Sequence, residues 1–482
     1  MHFSISFRIL GILLMLFSTV LLIPLLLAVL ETDHTVPGFV SAMGIIFFSG
    51  LLMWFPVRNA SHELRIRDGF LITSLFWTVL GLFGALPFAL TDAIDITPMG
   101  AIFESISGLT SSGGTVIVGL DELPQSILLY RQLLQWLGGI GIIVVAVAIL
   151  PMLGVGGMQL YKAETPGPSK DNKLTPRITE TAKALFVVYL VITVCCALSY
   201  YAVGMSAFDA IAHSFSTVAL GGFSTHDASL GYFKSDAVLM VATFFMFASS
   251  INFGLHFIAW HRKSLRIYRR DSETRFYTYA VLSCMCITII SLIVWDIHGH
   301  AESVLHGVFQ VLSIITTTGF STENLAAWPV ALPIMAIFFS CMGGCVGSTT
   351  GGIKAMRVML VTKQGMRELK QLVHPNAVIP LKVGGRRVEA TVVSAVWSFF
   401  AIYTTAFIVL LLSLMLIGMD FTTAFSAVAA TLNNLGMGIA GVASGFGEVS
   451  EWGKAILCFA MLLGRLEIFT LLVLFTPAFW RI

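Results

Sequence analysis

Four short segments of this 482-residue chain share one form, a half-span of apolar and small residues, a stretch rich in Thr, Ser or Asn, and then a glycine. They are Ala101-IFESISGLTSS-Gly113, Asp209-AIAHSFSTVAL-Gly221, Gly307-VFQVLSIITTT-Gly319 and Ala424-FSAVAATLNNL-Gly436, set at intervals of 108, 98 and 117 residues. Residues of this kind offer one chemistry, the holding of a dehydrated cation by backbone carbonyls, and they offer it only where several loops converge. Glycine suits the end of such a loop because it reaches left-handed backbone angles and brings no side chain to close a passage. A half-helix ending there also aims its partly negative C-terminal end at the cation.

The elements that must position these loops lie in lipid. The chain is 57% hydrophobic and 11% charged, a balance outside the range of soluble domains. A helix that crosses a bilayer needs roughly 20 apolar residues, and about a dozen such runs are present when those flanking the half-spans are included. Each half-span follows one run (about 69 to 90, 183 to 204, 277 to 296, 392 to 417) and precedes another (about 127 to 151, 237 to 260, 329 to 360, 454 to 476). The first run, Ile9 to Leu30, has no cleavage pattern after it and reads as a retained helix. Non-helical backbone at membrane depth is tolerated only where it is buried in protein or lines water. Four such loops therefore predict a shared pore, and matched recurrence argues against mere close packing of small residues.

Charge placement predicts topology. Of 28 Lys and Arg, three (Arg131, Lys234, Lys454) fall in one set of connecting segments. Nearly all others fall in the alternate set: Arg58 to Arg67, Lys162 to Lys183, Arg262 to Arg275 and Lys354 to Arg387, with Arg8 and Arg481 at the ends. The basic set is expected to be cytoplasmic, which puts both termini inside. The opposite set carries acid, including Asp121, Glu122, Asp227, Glu302 and Glu451, and would draw cations toward an outer vestibule. The seven cysteines lie in or beside apolar runs and read as packing residues.

Two features point to a gate. Gly343, Gly344, Gly347, Gly351 and Gly352 fall within ten residues of an apolar run, too many for a stable helix, and predict a flexible loop beneath the third half-span. Arg465 and Glu467 interrupt the last apolar run, and an ionisable residue at such a place is a functional candidate. A structural pair of Arg465 with Glu467 or with loop carbonyls is the alternative to a gate, and positions two apart on a helix do not face each other, which disfavours the pair with Glu467. Glu104 and His213 occupy one position in the first two repeats, with Gln310 and Ala427 in the others, and are expected to brace the half-helices.

At these residues, and in the strings AILPMLGVGGMQLY (148–161), AETPGPSKDNKLTPR (163–177), GGFSTHDASLGYF (221–233), GGCVGSTTGGIK (343–354), LVHPNA (372–377), TLNNLG (431–436) and GRLEIFTLLVLF (464–475), the chain resembles the TrkH/TrkG/KtrB superfamily of bacterial potassium transport proteins, most closely the TrkH and TrkG type. The resemblance implies an all-α polytopic membrane protein: an N-terminal helix pair (1–68) and four helix, pore-loop, helix repeats (69–161, 162–261, 262–361, 362–482) around a pseudo-fourfold pore. It implies potassium as the transported ion, a homodimer in the bacterial inner membrane, and control by a cytoplasmic nucleotide-binding subunit of the Trk type. Carried over by position, the filter would be Thr110, Ser111, Ser112 and Gly113; Val218, Ala219, Leu220 and Gly221; Thr316, Thr317, Thr318 and Gly319; and Asn433, Asn434, Leu435 and Gly436. The carbonyls of Ser111, Ser112, Ala219, Leu220, Thr317, Thr318, Asn434 and Leu435 would hold K⁺. The loop at 343–352 and Arg465 would obstruct the pore below it.

Other classes fit less well. An alternating-access transporter predicts a twofold repeat, whereas four are present. An intramembrane enzyme needs paired carboxylates or a His cluster inside the apolar runs, and the sequence has none, so no enzymatic activity and no organic cofactor are expected. The chain has no GxxxxGK[ST] phosphate loop, so nucleotide sensing falls to another chain, and no nucleic-acid partner is expected. A proton-coupled potassium symporter with the same pore is the alternative reading.

Overall fold

The computed structural model describes residues 3–60, 66–144, 178–297, 299–323, 325, 328–329 and 331–481. The strings at 148–161 and 163–177, the basic stretch between Lys162 and Arg177, and the 161/162 repeat boundary lie outside the described residues. The described residues are all-α apart from a two-residue antiparallel ladder that pairs Lys382 with Arg387 and Val383 with Arg386. Among the described residues six helices have the length and apolarity to cross a membrane, and the number rises to eight if two bent pairs are each taken as one span.

The two N-terminal spans, Phe3–Glu31 and Val36–Val57, come first. Four shorter helices follow at intervals, Pro98–Leu109, Ala207–Ala219, His300–Ile315 and Phe421–Leu432; they are half-helices 1 to 4 below. Their starts are written locally. Thr97 Oγ1 accepts from the Gly100 N–H (3.1 Å) with Pro98 in the first turn, Ser206 Oγ accepts from Asp209 N–H (3.0 Å), and Asp420 Oδ2 accepts from Thr423 N–H (3.0 Å). The hydrogen bonds from Thr423 also hold the Asp420 carboxyl below its ordinary range, so this cap stays ionised. Half-helices 1 and 4 contribute buried Ala101, Phe103, Ala424 and Val428 to the largest apolar core, while half-helices 2 and 3 contribute Ala210, Val218, Phe309 and Leu312 to a second.

Two runs that hydropathy reads as single helices are bent. Asp236–Ser249 and Phe253–Arg262 meet at 93°, and Glu451–Arg465 and Phe469–Phe475 meet at 110°. The first break falls at Ser250-Ile251-Asn252, where the Asn252 side chain accepts from Gly254 N–H (2.7 Å) and caps the outgoing helix. The second falls at Leu466-Glu467-Ile468, where Glu467 (φ 53°) and Ile468 (φ 59°) are both left-handed. The run at 329–360 divides, as expected, into Ala331–Met342, a glycine-rich loop and Ala355–Val373.

Candidate functional site

Each half-helix ends in the same backbone pattern. Ser111, Leu220, Thr317 and Asn434 are left-handed (φ 52° to 57°), and Gly113, Gly222, Gly319 and Gly436, two residues later, are left-handed as well (φ 72° to 85°). The residue between them donates its N–H five residues back: Ser112 to Ser107, Gly221 to Ser216, Thr318 to Ser313 and Leu435 to Ala430 (2.8–2.9 Å). This corrects the expected register of the second loop by one residue. Gly222, and not Gly221, is the counterpart of the other three glycines, so Val218 drops out of the equivalent stretch and the carbonyls matching Ser111 and Ser112 are those of Leu220 and Gly221. The reason is steric. The left-handed angle and the close approach to the backbone of the next loop both fall on Gly222, while Gly221 keeps an ordinary backbone and is crowded by the Gln135 side chain.

With that register the four loops close into a ring. A methyl group on Gly113 would run into the carbonyl oxygen of Gly221, on Gly222 into that of Thr318, on Gly319 into that of Leu435, and on Gly436 into that of Ser112. Each glycine thus abuts the carbonyl that precedes the next glycine, in the order one, two, three, four and back to one. Thr110, Ser111, Ser112, Thr316, Thr317, Thr318, Asn433 and Asn434 are all buried around this ring. The ring is asymmetric behind its lining. Gln135 Nε2 donates to Gly221 O (2.7 Å), while its Oε1 accepts from Phe223 N–H (3.1 Å) and Ser216 Oγ (2.7 Å). The carbonyls of Ser112, Thr318 and Leu435 accept no hydrogen bond from a described residue.

The bracing expected of Glu104 and His213 is present. Glu104 accepts from Thr115 Oγ1 (3.0 Å) and from Val116 N–H (3.0 Å), and His213 Nε2 is 3.0 Å from Ser224 Oγ, the residue equivalent to Thr115. Arg131 does not sit in an outer loop, as its charge suggested. It lies in helix Gln125–Val144, fully buried, with Nε 2.7 Å from Glu104 and an Nη1 that donates to Ser224 O (3.0 Å), and it stacks over Phe223. Lys454 likewise sits in a helix, 3.0 Å from Glu451. Breaking a buried pair strands a charge and costs about 3–5 kcal/mol. Arg131→Met is therefore expected to lower the thermal unfolding midpoint sharply, and Glu104→Gln combined with Arg131→Met to recover part of the loss; a double variant as unstable as the single one would remove the pair from this role.

The glycine-rich loop packs under the ring on the side where the half-helices end. Thr349 Oγ1 donates to Val218 O (3.0 Å), Gly351 N–H donates to Thr317 Oγ1 (2.8 Å), and Gly351 abuts Asn433 O so closely that a methyl would overlap it. Gly343, Gly347 and Gly352 are left-handed (φ 64°, 75° and 73°), and a methyl on Gly344 would stand 2.7 Å from Ser250 O. The loop is tied at its back to the first bend, through Cys345 N–H to Ser250 O (2.9 Å) and Phe253 N–H to Gly347 O (3.0 Å). Arg465, at the second bend and 5% exposed, completes the set: it donates to Thr349 O (3.1 Å), Gly138 O (2.9 Å) and Ser111 Oγ (3.2 Å). Loop and arginine together touch all four half-helix ends. Glu467 pairs with Arg357 at 2.6 Å rather than with Arg465, and the reason is the break between them: the helix ends at Arg465 and Glu467 lies in the bend that follows.

Comparison with known proteins is consistent over the whole length. The family model described as TrkH, cation transport protein, matches residues 37–482. The Trk system potassium uptake protein TrkH of Halomonas elongata is 52% identical over 100% of both chains, and that of Escherichia coli (strain K12) is 49% identical over 100% of both. The Trk system potassium uptake protein TrkG of the same strain is 40% identical over 100% of this chain and 99% of the relative. The crystal structure of the potassium transporter TrkH from Vibrio parahaemolyticus superposes with a TM-score of 0.93 at 50% identity, covering 100% of each chain.

Proposed function

This chain belongs to the family of TrkH cation transport proteins, and on that premise we propose that it takes up potassium across the inner membrane through the ring formed by its four loops. The observation that carries the reading is the cyclic contact of Gly113, Gly222, Gly319 and Gly436 with the carbonyls of Gly221, Thr318, Leu435 and Ser112. Four loops in mutual backbone contact, each at the C-terminal end of a half-helix, supply oxygens for a dehydrated monovalent cation and a favourable field from the helix ends. The filter so read comprises Thr110 to Gly113, Ala219 to Gly222, Thr316 to Gly319 and Asn433 to Gly436.

Gating is assigned to the loop at 343–352 and to Arg465, which stand beneath that ring. The cytoplasmic side is the one bearing Arg262 to Arg275 and Lys354 to Arg387, with both termini inside. The protein works as a homodimer of four-repeat chains under a cytoplasmic nucleotide-binding subunit of the Trk type, as the resemblance to the TrkH and TrkG type implies; what supports the Trk system itself is that relatives named Trk system potassium uptake proteins are similar to this chain along its entire length. Protein reconstituted in vesicles is expected to pass potassium and rubidium well ahead of sodium under an imposed voltage. Equal sodium and potassium fluxes would defeat the reading of the ring as a potassium filter.

A further inference from the structure

The helix Ala355–Val373 leaves the gate loop carrying charge that the ion pathway does not use. Lys363, Arg367 and Lys370 recur at positions i, i+4 and i+7 and so share one face of it. The chain then doubles back, and Lys363 Nζ donates to Lys382 O (3.0 Å), fixing the Lys382–Arg387 hairpin against this face. Between helix and hairpin lies an open cavity of about 250 Å³ whose lining includes Lys363, Arg367, Lys370 and Lys382 together with Met366 and Ile379. Four cations converge there. The carboxylate beside them, Glu368, is 3.3 Å from Arg367 Nη2, and Arg367 Nε is buried with no hydrogen-bond partner among the described residues.

The cavity's level and flank narrow the identity of an anion. The hairpin ends three residues before the apolar span Ala390–Leu416, and Arg275, in the first turns of the span Ser272–Val294, is close enough to act on Lys363. Burial and the neighbouring Arg275 press the Lys363 ammonium below its ordinary value, a condition that an added anion would relieve. Leu369, Leu372, Val373 and Val378 stand exposed just beyond the cations. Cations beside exposed apolar side chains, at the level where spans begin, match a group with a charged head and a hydrocarbon tail.

We infer that this cavity binds the phosphate group of an anionic phospholipid, with its acyl chains against the exposed apolar flank. The inference rests on the inward orientation proposed above only for which leaflet supplies the lipid. Lipid retention measured in nanodiscs, where both faces are open, is independent of that orientation and of transport.

The test uses the full chain in discs of phosphatidylcholine with or without phosphatidylglycerol, and native mass spectrometry to count retained phosphatidylglycerol. Lys363→Ala combined with Lys382→Ala is compared with Arg269→Ala combined with Arg270→Ala, which removes equal charge from a neighbouring segment. The cavity variant is expected to retain phosphatidylglycerol at least about tenfold more weakly, with the control near the parent. Equal losses in both would show diffuse attraction and overturn the site. A parallel arm adds inorganic pyrophosphate: if it displaces the lipid fully and also binds in discs of phosphatidylcholine alone, the anion is a soluble phosphate and the lipid assignment fails.

Discussion

Gly222→Ala is expected to reduce rubidium uptake by proteoliposomes at least about tenfold, whereas Gly221→Ala, one residue away, is expected to keep uptake within a few-fold of the parent. Gly222 has φ +78°, where an L side chain costs about 1–2 kcal/mol, and its methyl would meet Thr318 O, a backbone atom of the next loop. That atom cannot move alone, because Thr318 is held by its own N–H bond to Ser313 and by the Thr316 hydroxyl (2.6 Å). The third loop would have to shift as a whole, and the ring with it. At Gly221 the backbone is ordinary, and the methyl would instead press on Gln135, with Oε1 at 2.6 Å. A glutamine amide can swing aside at the expense of its bonds to Gly221 O, Phe223 N–H and Ser216 Oγ, so the predicted loss is the smaller of the two and should shrink further in Gly221→Ala with Gln135→Ala. If Gly221→Ala proves the more damaging of the two, then Gly222 is not the glycine that closes the ring in the second loop.

That register shows where sequence reasoning stops short. The half-spans are legible because a short apolar segment between two long ones, ending in small polar residues and glycine, has few other structural uses. In the second loop two glycines are adjacent, and composition does not separate them. One signal does. Glu104, Gln310 and Ala427 each stand nine residues before their glycine, and His213 stands nine before Gly222 but eight before Gly221. Hydropathy likewise reads 237–260 and 454–476 as straight runs, since it measures apolarity and carries no information on chain direction; the breaks depend on Asn252 and on two left-handed residues at 467 and 468. Charge alone puts Arg131 in a loop, yet its partner Glu104 lies 27 residues away and the pair exists only once half-helix 1 packs on the following helix. Long-range pairing of this kind, and that of Arg357 with Glu467 across 110 residues, is written in the fold and not in local pattern.

Arg465→Ala is expected to raise rubidium flux strongly, and for two separable reasons. The first is charge. A fixed positive charge about 5 Å from a passing monovalent cation, at an effective dielectric of about 20, raises its energy by roughly 3 kcal/mol, or on the order of a hundredfold in rate. The second is mechanical. Arg465 is the bridge that fastens Thr349 O of the glycine-rich loop to Ser111 of the first half-helix end and to Gly138 O, and without it the loop keeps, among the described residues, its bonds to Val218 and Thr317 on this side. Arg465→Lys separates the two, since an ammonium keeps the charge but lacks the planar fork that reaches three acceptors at once. Flux in the lysine variant that stays near the parent assigns the barrier to charge; flux that rises toward the alanine value assigns it to the bridge, and deletion of Gly344 to Gly351 should then raise it to a similar level. The quantity of folded protein in the vesicles has to be matched in each case, because burying fewer hydrogen bonds at a helix bend also lowers stability. A fall in flux at equal protein, in the alanine variant and the deletion alike, would mean that Arg465 and the loop hold the ring open rather than closed.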